Sequence, residues 1–541
     1  MIAGTMLAGG LVTNTNQSAS WVRLPSRNAS VEADAVYYNP AGIMKMSNGF
    51  HFAVSNQTIF QKREITNDYS YLHNDLYEGS VKAPLFPSVA AAYKLDKFAV
   101  SFGFNPVGGG GGATYEAGLP SFEMSIADLV PATFTNFGTT DYDADIFFEG
   151  SSIYFGYQAN VSYKINDMIS VAAGVRLVTA KNTYNGYLRD ISINPNYPAF
   201  GAYTGSMVLA SDFFTDGAAL MGQLATGATA YSAGLQTLIT TYGLGSVLLS
   251  NTAALAPYGL TATDIATMQQ IIGAAGQNPS GLNLTQAQAI LTGAAPVFTA
   301  TGTTLSTNAA RTADIEVDAE ETGMSYTPIL SVNITPIENL NIALKYEFLT
   351  KLELTTSLAS PTMGGGIFIQ DEKKRNDMPA MLAVGVDYSL SNIKLSLGGN
   401  YYFDKSADYG HKIDADLNPA TPTVHVDNSD IIDNNGMTLG AGLEYKVAEN
   451  WLVSAGYVYG NKGVNNLYQS DLTFGNATHT LGGGGAFMLG EMLKINLGAS
   501  YTMYLENEKN VNHFLGATNM LPKETYTKST LVVGVGVELS F

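Results

Sequence analysis

The chain ends in LVVGVGVELSF, residues 531–541, and the reading of this stretch decides the fold. On an extended strand successive side chains point to opposite faces. Leu531, Val533, Val535, Val537, Leu539 and Phe541 therefore share one face, and Val532, Gly534, Gly536, Glu538 and Ser540 share the other. The first face is wholly apolar; the second is mostly small or polar. The same pairing recurs upstream. Leu493, Ile495, Leu497, Ala499, Tyr501 and Met503 alternate with Lys494, Asn496, Gly498, Ser500 and Thr502. Ile153, Phe155, Tyr157, Ala159, Val161 and Tyr163 alternate with Tyr154, Gly156, Gln158, Asn160, Ser162 and Lys164.

Working outward, alternation also marks 340–348, 393–403, 437–445 and 451–459, with shorter rows at 50–54, 89–93, 98–104, 169–177, 328–334, 380–388 and 481–489. These are fourteen strand candidates, the even number that a closed single-chain membrane barrel requires. A soluble sandwich buries its apolar face once, and fourteen such strands would need two or more sandwiches. Connections alternate between tight turns (165–167, 336–339, 391–392, 449–450) and long loops, as periplasmic turns and outer loops do. The reading is a 14-stranded antiparallel outer-membrane β-barrel spanning 49–541.

Composition agrees. Of 541 residues only 13% are charged, while Gly (56) and Tyr (31) are abundant. Mean hydropathy lies near zero, as expected when one face of each strand is apolar and the other polar. No stretch reads as a transmembrane helix. The absence of Cys excludes disulfides and thiolate metal sites. A net charge of −19 argues against a nucleic-acid partner. Residues 1–8, within MIAGTMLAGG, read as the remnant of a secretory leader, which leaves 9–48 ahead of the first strand.

Fourteen strands enclose a lumen that wall side chains alone cannot fill. The segment 9–48 lacks sustained alternation and is the candidate plug. It carries Asn39-Pro40-Ala41-Gly42 just before the first strand. An N-terminal segment ending in this tetrapeptide, followed by fourteen strands, a long third outer loop and a terminal Phe, resembles the FadL/TodX family of outer-membrane transporters for fatty acids and aromatic hydrocarbons. The resemblance covers essentially the whole chain. It implies a hatch in the lumen, passive transport of hydrophobic small molecules, no cofactor, a Gram-negative outer membrane with its lipid and lipopolysaccharide as surroundings, and a monomer. The tetrapeptide alone is weak, since Pro40 would also start a helix or a simple turn.

Residues 195–310 hold only Asp212, Asp216 and Asp264 as charges and join the fifth and sixth strands, on the outer side. Helical spacing places Phe213, Leu220, Met221 and Leu224 on one face, and Ile265, Met268 and Ile272 on another. Thr261 and Asp264 stand at capping-box spacing before the second. Such an uncharged helical loop either packs on itself or presents an apolar groove to a ligand. The resemblance implies the groove, and the two readings are compatible.

The third strand meets Pro106 and then Gly108, Gly109 and Gly110 within a five-Gly run. Proline removes a ladder donor and such a run cannot hold a regular strand. The result is either an outer loop that begins early or a kink in the wall; the resemblance implies a kink that opens the wall sideways. Parity puts Arg176 and Lys345 on the lumen face, with Glu347, Asp387 and Glu444 as possible partners, and Lys394 and Lys494 near the periplasmic rim. An unpaired cation in a dry lumen is costly. Arg176 and Lys345 therefore serve an ion-pair network or receive a carboxylate head group. The acid-rich loop 404–433 has no EF-hand spacing and reads as solvated rather than as a calcium site.

Catalytic readings are poor: six His are scattered and no phosphate-cradling motif opens a helix. A lipid-modifying barrel enzyme would need His479 as base, yet its parity is on the lipid side. A structural or adhesive barrel is the remaining alternative. The sequence expectation is a non-enzymatic carrier with no metal.

Overall fold

The computed structural model describes residues 13–365, 368–410, 413–414, 420–422 and 425–541. The expected leader remnant, 1–8, lies outside them. The chain forms two compact units. The barrel unit takes in the chain up to Ser125, Ile146–Tyr187 and Ile315–Phe541; the helical unit takes in Ile126–Asp145 and Leu188–Asp314.

The wall strands are β1 (Gly49–Asn67), β2 (Leu76–Lys94), β3 (Phe98–Tyr115), β4 (Tyr142–Lys164), β5 (Ile169–Ile193), β6 (Ile315–Ile337) and β7 (Leu340–Glu347). They continue as β8 (Met381–Leu390), β9 (Ile393–Tyr402), β10 (Met437–Ala448), β11 (Trp451–Asn461), β12 (Thr478–Leu489), β13 (Leu493–Tyr504) and β14 (Lys523–Ser540). Neighbours pair antiparallel, and β14 pairs with both β13 and β1, so the sheet closes on itself. Closure leaves no free first or last strand, which is what a strand structure needs in hydrocarbon.

The barrel is apolar outside and polar inside. Leu531, Val533, Val535 and Val537 stand 38–48% exposed on the outer face, whereas Val532 is 5% exposed. Polar lumen residues such as Gln57, Asn160, Ser162, Asn333 and Asn496 are buried instead. What buries them is the N-terminal segment. Arg23 donates to Asn496 on β13 (2.9 Å) and to Ser454 on β11 (3.0 Å) and pairs with Glu444 on β10. Lys494 of β13 pairs with Glu32 of the segment at 2.7 Å. Wall glycines make the approach close enough: a Cβ on Gly385 would lie 2.4 Å from the Ala29 nitrogen, and one on Gly498 would lie 2.7 Å from the Arg23 nitrogen. The high glycine content thus has a steric cause.

Within the barrel unit, Pro120 opens helix α1 (Pro120–Ala127) in the connection after β3. In the helical unit, α2 (Ala210–Tyr242), α3 (Ala262–Ala274) and α4 (Leu284–Arg311) pack around a core that includes Ala228, Met268, Ile272 and Leu291, each 0% exposed. The Thr261 hydroxyl accepts from the Asp264 N–H while Asp264 accepts from the Thr261 N–H, a complete capping box for α3. Among the described residues no helix is long and apolar enough to cross a membrane.

Candidate functional site

The wall is discontinuous between β2 and β3. Val89–Lys94 pair with Phe104–Ala99, and Ser80 pairs with Thr114; between these, no residue of 81–88 finds a partner on β3 among the described residues. The sequence supplies the reason. Pro84 and Pro87 on β2 and Pro106 on β3 lack N–H donors, and Gly108, Gly109 and Gly110 follow. On its other side β3 still follows β4, with register shifts at Pro106/Gly108 and Gly108/Gly111. The glycine run therefore lies within β3, which extends to Tyr115. Side chains of β1 take over part of the lost bonding: Asn56 Nδ2 donates to the Pro84 carbonyl at 3.0 Å, and the Phe86 N–H donates to Asn56 Oδ1 at 2.9 Å.

Residues 13–17 lie along the unpaired edge of β3. Thr13 bridges Gly108, the Asn14 N–H donates to the Val107 carbonyl at 3.0 Å, and Asn14 Nδ2 donates to the Gly109 carbonyl at 2.8 Å. Gln17 Nε2 reaches the Pro106 carbonyl at 3.0 Å, and Asn16 Nδ2 donates to Gln57 on β1 at 3.1 Å. The segment's other end is fixed to the wall. Asn39 is 0% exposed and donates to Asn333 at 2.7 Å; Ser162 and Ser170 donate to the Pro40 and Ala41 carbonyls, each at 2.8 Å. The Gly42 N–H donates to Asn39 Oδ1 at 3.2 Å, and a Cβ on Gly42 would sit 2.3 Å from Asn39 Nδ2.

Beside the gap lies a lumen cavity of about 420 Å³. Residues 13–16, Trp21, Phe86, Gly109 and Gly110 line it, so cavity and gap share a wall. Its charged lining among the described residues is Arg63, Lys462 and Lys528 against Asp404. Arg63 and Lys528 face each other in register across β1 and β14. Like charges directly opposite destabilise a strand pair, so a nearby anion would be welcome. The Lys528 ammonium lies over the Tyr504 ring at 4.6 Å, and the Arg63 guanidinium lies over Phe474 at 4.6 Å with its Nε buried and unpartnered. Asp404 accepts from the Tyr409 hydroxyl at 2.7 Å and from the Gly436 N–H at 2.8 Å. Burial raises its carboxyl and lowers the Lys462 ammonium.

The other residues singled out from sequence fall elsewhere. Arg176 does not line this cavity. It is 2% exposed, grips Glu347 with both terminal nitrogens (2.7 and 2.9 Å) and donates to Gln158. Lys345 pairs with the same Glu347 at 2.7 Å and donates to the Tyr37 carbonyl at 2.8 Å. Both cations are spent on a lumen ion-pair network that ties β5 and β7 to the N-terminal segment. Of the groove candidates, Ile265, Met268 and Ile272 are 4%, 0% and 0% exposed inside the helical unit's own core; Met221 and Leu224 pack against it, and Leu220 is half-buried. Phe213 is buried in an aromatic cluster with Phe137, Phe200 and Tyr203. Helical packing uses up most of the apolar face that the spacing revealed. Asp404, expected in a solvated loop, is buried at 3% exposure, while the side chains of Asp414 and Asp416 lie outside the described residues. Among the described residues no cluster of three His, Cys, Asp or Glu could hold a metal.

No family model and no curated protein matches the sequence. Solved structures do. A Pseudomonas aeruginosa FadL homologue aligns with a TM-score of 0.55 at 13% identity, covering 98% of this chain and 100% of that one. The Pseudomonas putida toluene transporter TodX aligns with a TM-score of 0.48 at 10% identity (98% and 100% covered), and the Ralstonia pickettii toluene transporter TbuX with 0.45 at 14% (94% of each). With closure, strand count and N-terminal segment already established, this chain shares its fold with the Pseudomonas aeruginosa FadL homologue across almost the full length of both.

Proposed function

We propose that this chain is a passive carrier of hydrophobic compounds across the outer membrane of a Gram-negative bacterium, with long-chain fatty acids as its preferred cargo. The observation that carries the reading is the coincidence of cavity, gap and cations. An apolar chain needs apolar contacts, and Trp21, Phe86, Phe148 and Val532 supply them within a lining that also carries amides and hydroxyls. A carboxylate needs cations with donors to spare; Arg63 and Lys528 supply them at one end. The unpaired stretch between β2 and β3 is a side exit into lipid, and residues 13–17 act as the hatch that closes it. The remainder of the N-terminal segment, locked by Arg23, Lys494 and Asn39, stays in place. No step needs a cofactor, and the chain works as a monomer because one barrel contains the whole path.

The test is uptake of radiolabelled oleate and of hexadecane by cells carrying the wild-type chain or Lys528→Met. Wild type takes up both; Lys528→Met loses oleate uptake by roughly tenfold or more, the worth of one charge-assisted hydrogen bond, and keeps hexadecane uptake. A wild-type chain that takes up neither is not a carrier of these compounds.

A further inference from the structure

The loop 462–477, between β11 and β12, supplies Leu472, Phe474 and Asn476 to the cavity lining. Its first half is tied to neighbouring loops: Val464 bridges Ile432, Asn465 donates to Asp433, and Lys509 donates to the Asn466 carbonyl. Three further contacts hold its cavity-facing half. Asp471, 3% exposed, accepts from the Ser121 N–H of α1 at 2.8 Å. Asn476 Nδ2 donates to the Tyr526 carbonyl on β14 at 3.1 Å, and the Phe474 ring stacks on Tyr526 at 5.3 Å. The third contact is with a cavity cation: Phe474 lies under the Arg63 guanidinium, and Arg63 Nη2 donates to the Leu472 carbonyl at 3.2 Å.

That third contact is weak for an arginine. A guanidinium offers five donors in a planar fork. Arg63 makes one bond to a neutral carbonyl and lies against the Phe474 and Tyr115 rings (4.6 and 5.9 Å), with its Nε buried and unpartnered and Lys528 opposite. A carboxylate would give two short charge-assisted bonds and neutralise the repulsion. We propose that loop 462–477 is the entry gate of the cavity, that Phe474 on Arg63 is its latch, and that an anionic head group releases the latch by taking Arg63 from Phe474 and Leu472. Phe474 is then a positioning residue for selectivity: the cargo's charge opens the gate, so an acid such as oleate enters faster than an alkane of similar length such as hexadecane. The inference rests on the carrier reading above.

The chain has no cysteine, which makes a disulfide staple clean. In cells, Ser121→Cys with Asp471→Cys should, when oxidised, lower oleate and hexadecane uptake at least tenfold, and reduction should restore both. Phe474→Ala should raise hexadecane uptake several-fold and narrow the oleate-to-hexadecane ratio, and Phe474→Trp, which keeps the cation–ring contact, should restore the wild-type ratio. Heat-modified mobility on gels confirms that each variant is folded; should Phe474→Ala fail to fold, the staple decides alone. Unchanged uptake by the oxidised staple overturns the gate, and so does a Phe474→Ala chain whose two uptake rates fall equally. Wild-type transport with an inert staple would sink the gate and leave the carrier reading standing; no wild-type transport of either probe would sink both.

Discussion

Glu347 shows how much of this lumen depends on single side chains. It is 6% exposed and is the only carboxylate recorded within bonding distance of either Arg176 or Lys345 among the described residues. Removing one partner of a buried ion pair leaves an uncompensated charge. Glu347→Ala leaves two, and should cost about 3–5 kcal/mol in urea unfolding of the barrel in lipid vesicles. By the same reasoning Arg176→Leu should lower oleate and hexadecane uptake alike. A loss confined to oleate would return Arg176 to the head-group role. Parity placed Arg176 and Lys345 in the lumen correctly, but parity ranks neither partner nor distance, so it could not tell a paired cation from a free one. Lys528 has inward parity too. It stands ahead of the apolar row that begins at Leu531, where the sequence carries no alternation to mark it. Its juxtaposition with Arg63 arises from the closure of the last strand on the first, which no local pattern displays. Gly42 makes a separate case: with only 2.3 Å to Asn39 Nδ2 for a Cβ, Gly42→Ala must push the segment off Asn333, at about 1–3 kcal/mol. The observable is faster protease cleavage within residues 13–48, and unchanged cleavage would show that the wall contact can shift at no cost.

At the scale of elements, the strands were legible where both faces are chemically distinct and illegible beyond. β14 follows the alternation of its last eleven residues, but β1, β2, β5 and β6 run well past the apolar rows at 50–54, 89–93, 169–177 and 328–334. Their outer halves meet no hydrocarbon, so nothing enforces an apolar face there. The gap was half legible. Pro106 and the glycines stand out in the sequence, but two prolines on β2, Pro84 and Pro87, do not, and it takes both strands to break a ladder. Helix α3 was legible from its cap, and the cap has a pH signature. The Thr261 hydroxyl, then the Thr261 N–H, hold the Asp264 carboxyl below its usual value. A depressed carboxyl contributes stability that is present above its unfolded value, about 3.9, and that fades as pH falls through the lower folded value. Amide protection factors at the start of α3, corrected for the intrinsic exchange rate, should therefore fall as pH drops below about 4, and Thr261→Ala should flatten that dependence. A wild-type profile identical to that of Thr261→Ala would mean that the cap adds nothing in solution.

For the whole molecule, the account is of an inverted protein: apolar outside, polar inside, with an N-terminal segment that satisfies the polar lumen except at one cavity. Ion pairs and amide contacts hold residues 23–42 of that segment, whereas residues 13–17 are held by neutral hydrogen bonds to β3, to Gln57 on β1 and to Tyr37 and Tyr38 of the segment itself. On the proposed function, this difference in anchoring would let residues 13–17 move while the rest of the segment stays in place. The central claim is that cargo leaves through the gap these residues close. A direct test is oleate uptake by Thr13→Cys with Gly108→Cys, two positions that face each other as antiparallel bridge partners in the wild type. If the claim holds, uptake falls to background when the pair is oxidised and recovers on reduction; oleate entering at the wild-type rate through the oxidised protein would contradict it.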